Sequence, residues 1–175
     1  MKKTIIILTL LFFGLEPISA QSKETTLKEI RSEYKTIRNN MDFYIKRSSE
    51  IELNTTEGGH ITAYFDNDDL KLIEIIEFGE TGKNITQYYF KNKKLFFAFD
   101  QQYRYNIPIY NEEFDSNKTT IIEDRYYFHK EKLFLWLDND KNKVDLTLKA
   151  NKMIGKKFVD YTKKLKHELK KEEKH

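Results

Sequence analysis

Four histidines, His60, His129, His167 and His175, and a large set of carboxylates are the side chains with the widest chemical range in this chain. Zinc needs imidazole or thiolate ligands at short spacing on one element, and these histidines are scattered with no cysteine to complete a set, so no metal centre is assigned. Asp138-Asn139-Asp140-Lys141-Asn142 begins like a calcium loop, because oxygen ligands alternate there. Its sixth position is Lys143 where a glycine must turn, and its twelfth is Lys149 where a bidentate Glu must chelate, so it reads as a polar turn. Asp66, Asp68 and Asp69 read the same way. Glu74 with Glu77, Glu112 with Glu113, and Glu123 with Asp124 could serve a glycosidase-type hydrolysis, which needs two carboxyl groups about 5 to 9.5 Å apart across a cleft. Glu123 stands out because it shares a strand face with Arg125 and Tyr127. Without cysteine or a Gly-x-Ser-x-Gly elbow, no nucleophile is indicated; no catalytic residue and no cofactor are assigned.

A second kind of chemistry, recognition by aromatic surface, is better represented. Tyr88-Tyr89-Phe90 through Leu95 to Asp100 realigns 38 residues later with Tyr126-Tyr127-Phe128 through Leu133 to Asp138, identical at seven of thirteen positions. A fainter copy, Tyr64-Phe65 with Asn67 and Leu70, lies 25 residues before the first. Each copy is an aromatic strand, four polar residues and an apolar strand, the pattern of a β-hairpin. A four-residue loop sets Phe90 opposite Leu95, Tyr89 opposite Phe96 and Tyr88 opposite Phe97; likewise it sets Phe128 opposite Leu133, Tyr127 opposite Phe134 and Arg125 opposite Trp136. Strict alternation then puts Tyr88, Phe90, Leu95, Phe97 and Phe99, with Tyr126, Phe128, Leu133, Leu135 and Leu137, on one face. Tyr89, Phe96, Arg125, Tyr127, Phe134 and Trp136 fall on the other, with Ala98. That second band is the candidate ligand or partner surface, since Trp, Tyr and Arg favour contact sites. The competing reading is that it packs beneath the 106–120 connection or the second helix.

The Tyr-Tyr-Phe, polar turn and Leu hairpin, over roughly residues 61–138, resembles units in small uncharacterised exported proteins of Bacteroidetes-type bacteria. Such units often turn on Asn-Gly, where this chain has Asn92-Lys93 and Lys130-Glu131. The resemblance implies an exported antiparallel-sheet domain and carries no catalytic residues.

The hairpins are flanked by helical stripes. Leu27, Ile30, Tyr34, Ile37, Met41 and Tyr44 recur at steps of three and four and predict a helix over about 23–46. Ala150, Ile154, Phe158, Tyr161, Leu165 and Leu169 predict another over about 149–170, weakened at Gly155 by about 1 kcal/mol relative to Ala, where a break or kink is expected. Val144 to Leu148 alternates like a last strand. The expected fold is α+β: an antiparallel sheet of about six or seven strands in three hairpins over about 61–148, with both helices packed on one face.

The first twenty residues read separately. Lys2 and Lys3, the apolar run Ile5 to Leu15, and Ile18-Ser19-Ala20 make a secretory signal peptide, too short to span roughly 30 Å of hydrocarbon. Cleavage near Ala20 leaves a single domain over 21–175, secreted or periplasmic, with 29 basic and 27 acidic residues and no transmembrane segment. That balance, with 14% aromatic residues and no cysteine, excludes a disulfide scaffold, a disordered chain and the basic field of a nucleic-acid binder. The lysine-rich final helix mixes in Asp160 and Glu168 and reads as a wet face, with weak contact to an anionic envelope surface as the alternative. The expected function is that of an exported, non-enzymatic binding module for an unidentified protein or small apolar ligand. A carrier of apolar small molecules and a carboxylate hydrolase are the alternatives.

Overall fold

The computed structural model of the protein describes residues 20–49, 53, 55 and 57–172; all of the expected signal except Ala20, and the last three residues, lie outside that set. Helix α1 (Ala20–Asn39) leads through a 3₁₀ turn at Met41–Phe43 into seven strands: β1 (Ile45–Ser49), β2 (Gly59–Asp66), β3 (Asp69–Gly79), β4 (Gly82–Lys91), β5 (Lys94–Arg104), β6 (Thr120–His129) and β7 (Lys132–Leu137). Helix α2 (Lys149–Glu172) follows. Every strand pairs antiparallel with its neighbour in the chain, so spatial order equals chain order from β1 to β7. The fold is α+β, as the patterning predicts.

The first helix is shorter than its apolar stripe. At Asn40 the backbone N–H donates to the carbonyls of Thr36 and Ile37, and the side-chain amide donates to the Thr36 carbonyl at 2.8 Å. Asn competes for backbone bonds in this way, which favours helix ends. Met41 and Tyr44 still pack with Ile30 and Ile37, but from the 3₁₀ turn and the residue after it. The chain then extends as β1, an edge strand whose Ile-Lys-Arg-Ser-Ser composition has no strand signature and suits an edge that resists further pairing.

The three hairpins share one irregularity. Their loops hold two residues, closed by Asp66 opposite Asp69, Lys91 opposite Lys94 and His129 opposite Lys132. Asn92, Lys93, Lys130 and Glu131 all take positive φ, the geometry of the tight turn that suits a right-twisted hairpin. One pair beyond each closure the register slips, between Tyr64 and Phe65, between Tyr89 and Phe90, and between Tyr127 and Phe128. Phe90 stays opposite Leu95 and Phe128 opposite Leu133, as expected. Tyr89, however, faces Phe97, Tyr127 faces Leu135, and Arg125 faces Leu137. Lys71, Phe96 and Phe134 are the inserted residues of three equivalent β-bulges. A bulge sets two residues against one and lets consecutive side chains share a face; accordingly Phe96 and Phe97 both pack toward α1, as do Phe134 and Leu135.

This slip exchanges the expected faces downstream. Phe97, Phe99, Leu135 and Leu137 join Tyr89 and Tyr127, whereas Ala98 and Trp136 join Tyr88 and Tyr126. Both faces are thereby apolar, and each takes a helix. Ile30 and Ile37 of α1 cover Tyr64, Leu72, Tyr89, Phe96, Phe97 and Tyr127. Val159, Leu165 and Leu169 of α2 cover the other side, over Ile73, Tyr88, Phe90, Tyr126 and Phe128. The helices therefore lie on opposite faces, not on one. Tyr89, Phe90 and Phe128 are among the largest fully buried side chains, each contributing about 1.5–3 kcal/mol through removal from water.

Gly155 does not break α2, which is continuous from Lys149 to Glu172. It lets the helix approach β7, since a Cβ there would stand 2.4 Å from the Leu133 Cβ. Val144–Leu148 is not a seventh-strand partner; it contributes one N–H, from Val144 to the Trp136 carbonyl, beside a lone bridge between Leu137 and Lys143. Asp138 and Asp145 direct their carboxylates to nearby backbone, Asp138 accepting from the N–H groups of Asp140 and Asn142, and Asp145 from that of Thr147. Such local bonds favour turn over strand.

Candidate functional site

On the α1 side, the ladder sorts side chains into rows across the sheet. One row runs Tyr64, Leu72, Tyr89, Phe97, Tyr127, Leu135, and the next contains Glu74, Gln87, Phe99, Arg125 and Leu137. The first is covered by the helix. Its rings interlock: Tyr34 meets Tyr89 and Phe97 edge-on, with centroids 5.0 and 5.3 Å away, and Phe97 lies 5.0 Å from Tyr127. Such edge-on and tilted contacts align the positive ring edge with a negative face.

The second row is where polarity enters. Tyr89 donates its hydroxyl to Gln87 Oε1 at 2.8 Å, Gln87 Nε2 donates to Glu74 at 2.6 Å, and Tyr64 donates to the same carboxylate at 3.3 Å. This chain satisfies the polar groups that α1 covers. Burial pushes the Tyr89 hydroxyl far above the ordinary phenol range, so it stays a neutral donor.

Toward β6 the helix leaves a cleft of about 220 Å³, lined by Ile30, Arg31 and Tyr34 from α1 and by Phe97, Phe99, Arg125 and Tyr127 from the sheet. Arg125 is the centre of its chemistry. Its guanidinium lies 5.1 Å from the Phe99 ring centroid, and its Nη2 pairs with Glu123. Glu123 is held in turn by Gln101 Nε2 at 2.9 Å. The Nη1 of Arg125 is buried and has no hydrogen-bond partner among the described residues. A buried donor left unmade costs about 1–3 kcal/mol, more when charged. Arg31, an exposed residue of α1, is the second arginine in the lining. The arrangement can receive an anionic head beside a flat or branched apolar body.

Of the residues expected from sequence, Tyr89, Phe96, Arg125, Tyr127 and Phe134 stand on this face, and Trp136 does not. The reason is the bulge at Phe134, after which parity reverses. Trp136 packs on Tyr126 with centroids 5.0 Å apart and donates Nε1–H to Asp124 at 2.6 Å, on the α2 side. Tyr89, Phe96 and Tyr127 are buried under the first helix, neither under the 106–120 connection nor under α2. Only Arg125 and Tyr127 of the expected set line the cleft. Phe97 and Phe99 were expected on the other face, and Ile30, Arg31 and Tyr34 carried no site signal in sequence. One signal was present: each return strand is an unbroken apolar run, Leu95 to Phe99 and Leu133 to Leu137, which fits a strand covered on both faces and not strict alternation.

The carboxylates divide between structure and surface. Glu123 is committed to Arg125 and Gln101. Asp100 and Asp124 stand opposite one another on β5 and β6, with Thr86 donating to Asp100 at 2.6 Å. His129 closes the β6–β7 turn opposite Lys132. No cluster of His, Asp and Glu able to hold a metal forms among the described residues, nor is any of their helices long and apolar enough to cross a membrane. The chain matches no family model, no curated protein and no solved structure.

Proposed function

We propose that the protein is an exported, non-enzymatic binding module whose ligand is a small amphipathic anion, a carboxylate on an apolar or aromatic body, held in the cleft between α1 and strands β5 and β6. The observation that supports this reading is the buried, unpartnered Nη1 of Arg125 at a cleft walled by aromatic rings. A carboxylate accepting from the Arg125 guanidinium, with Nη1 turned toward it, would form a charge-assisted bond and relieve the cost of the orphan donor. Arg31 would screen the second oxygen, and Tyr34, Phe97 and Phe99 would cover the apolar body. This places the recognition chemistry on Arg125 and its aromatic neighbours and keeps the buried Tyr89 and Phe96 as support. A volume of about 220 Å³ suits a ligand smaller than a typical drug.

Calorimetric titration with phenylacetate and octanoate, against the neutral 2-phenylethanol and octanol, tests the reading. Carboxylates should bind about tenfold tighter than their neutral analogues, a gap of about 1.4 kcal/mol, and Arg125→Gln should abolish that gap while the chain stays folded. Equal binding of acid and alcohol, or an unchanged gap in Arg125→Gln, would sink it. Export is a separate part of the proposal: N-terminal sequencing of protein from the periplasm or medium should begin near Gln21, and recovery of Met1 chains only from cytoplasm would refute it.

A further inference from the structure

The opposite face of the sheet carries a second cleft, of about 360 Å³, between the C-terminal half of α2 and the tips of the β2–β3 and β4–β5 hairpins. Its floor is apolar, formed by Phe65, Leu70 and Leu169, all buried. Its rim is basic: Lys163, Lys166 and Lys170 from α2 line it with His167 and with Lys93 of the β4–β5 turn, and Asp68 is the one carboxylate in the lining. Positions 163, 166 and 170 lie three and four residues apart, so they share one helix face. None of the four lysines forms an ion pair among the described residues.

Lys166 is held in place and not merely solvated. Its ammonium donates to the Lys93 carbonyl at 2.8 Å and sits 5.1 Å from the centroid of the Phe90 ring. Burial lowers its pKa; Glu131 opposes the shift and the charges of Lys163 and Lys170 add to it. Like charges gathered with only Asp68 and Glu131 to offset them are unfavourable in the free protein, and a bound anion would reverse that sign.

We propose that this cleft binds a phosphate monoester carried on a small apolar body, with the lysines around the phosphoryl oxygens and the body on Phe65, Leu70 and Leu169. A cluster of lysine charges, Lys163, Lys166 and Lys170, calls for more than a single negative charge, and a phosphate monoester carries about −1.5 to −2 at neutral pH with three acceptor oxygens. Lysine, a compact point charge, is an established phosphate partner. The ester could be free or be the headgroup of a lipid, and both present the same chemistry. The site is separate from the α1 cleft and shares no lining residue with it.

Calorimetry with phenyl phosphate and benzyl alcohol, and co-sedimentation with phosphatidylcholine vesicles containing or lacking phosphatidic acid, separate the outcomes. Phenyl phosphate should bind, weaken as salt rises, and lose about tenfold in affinity in Lys166→Gln and in Lys163→Glu. Lys163 is exposed, so its variant keeps the test informative if Lys166→Gln fails to fold. Retention on phosphatidate vesicles alone, abolished by Lys163→Glu, would support the same site with a lipid as its source. Absence of binding in both arms, equal binding of benzyl alcohol, or affinity unchanged in Lys163→Glu would overturn the proposal.

Discussion

Asp100 on β5 and Arg125 on β6 are both partly buried and meet burial in different ways. Arg125 recovers part of its solvation from Glu123 and the Phe99 ring. Asp100 has a hydroxyl from Thr86 and no cation, with Asp124 opposite. Burial raises its pKa most; the Thr86 bond works against that, and the Asp124 charge adds to it. The folded state thus holds the Asp100 proton more tightly than the unfolded chain does. Its contribution to stability is greatest when protonated, falls as pH rises from the unfolded carboxylate value through the raised folded one, and stays low above it. Asp100→Asn keeps an acceptor for Thr86 and removes a like-charge cross-strand pair. Urea denaturation at pH 7 should show the variant more stable by a few tenths to about 1 kcal/mol, with a flatter profile on the acid side. A less stable variant would mean that the ionised carboxylate makes a favourable contact in the native state.

Elements here are placed by the residues that let them come close or slip. Gly155 is the clearest case, because intrinsic helix preference and packing give opposite signs. Gly155→Ala gains about 1 kcal/mol in helix propensity, yet its methyl would meet the Leu133 Cβ at 2.4 Å, an atom next to the backbone with little room to yield. Overpacking costs typically 1–3 kcal/mol, so a net loss of about 1 kcal/mol is expected in thermal and urea melts. The double variant with Leu133→Ala should recover part of it relative to Leu133→Ala alone. A stabilised Gly155→Ala would show that α2 stands off β7. The bulges at Phe96 and Phe134 act on the same scale: each turns two adjacent residues toward α1, which moves Phe97 and Phe99 to the cleft and Trp136 away from it.

For the molecule as a whole, a neighbour-only antiparallel order means that each central strand is supported from both sides, while β1 and β7 are supported from one. Both faces of the centre are also dry, under α1 and α2. Hydrogen exchange should therefore rank amides by position: the slowest in β3, β4 and β5, with opening free energies near the global value, and the fastest among the strands in β1. Uniform protection across all seven strands would contradict this gradient. Exposed Phe43, 83% accessible, and Ile45, 51%, lie next to that least protected edge.

Helix stripes, hairpin copies and turn positions were legible in the chain itself, because each depends on spacing within one short segment. The stripe from Leu27 to Tyr44 marked the residues that pack beneath the first cover even though the helix stops at Asn39. The thirteen-residue echo marked two hairpins that share turn geometry and bulge position. Parity beyond the turns was another matter. A bulge exists only in the pairing of two strands, and one inserted residue moves every later side chain to the other face. Tertiary structure alone therefore decided that both faces are apolar, that the helices take opposite sides, and that Arg125 meets Arg31 and Tyr34 across a cleft. Those residues are far apart in sequence, and it is sheet register, not local preference, that brings them together.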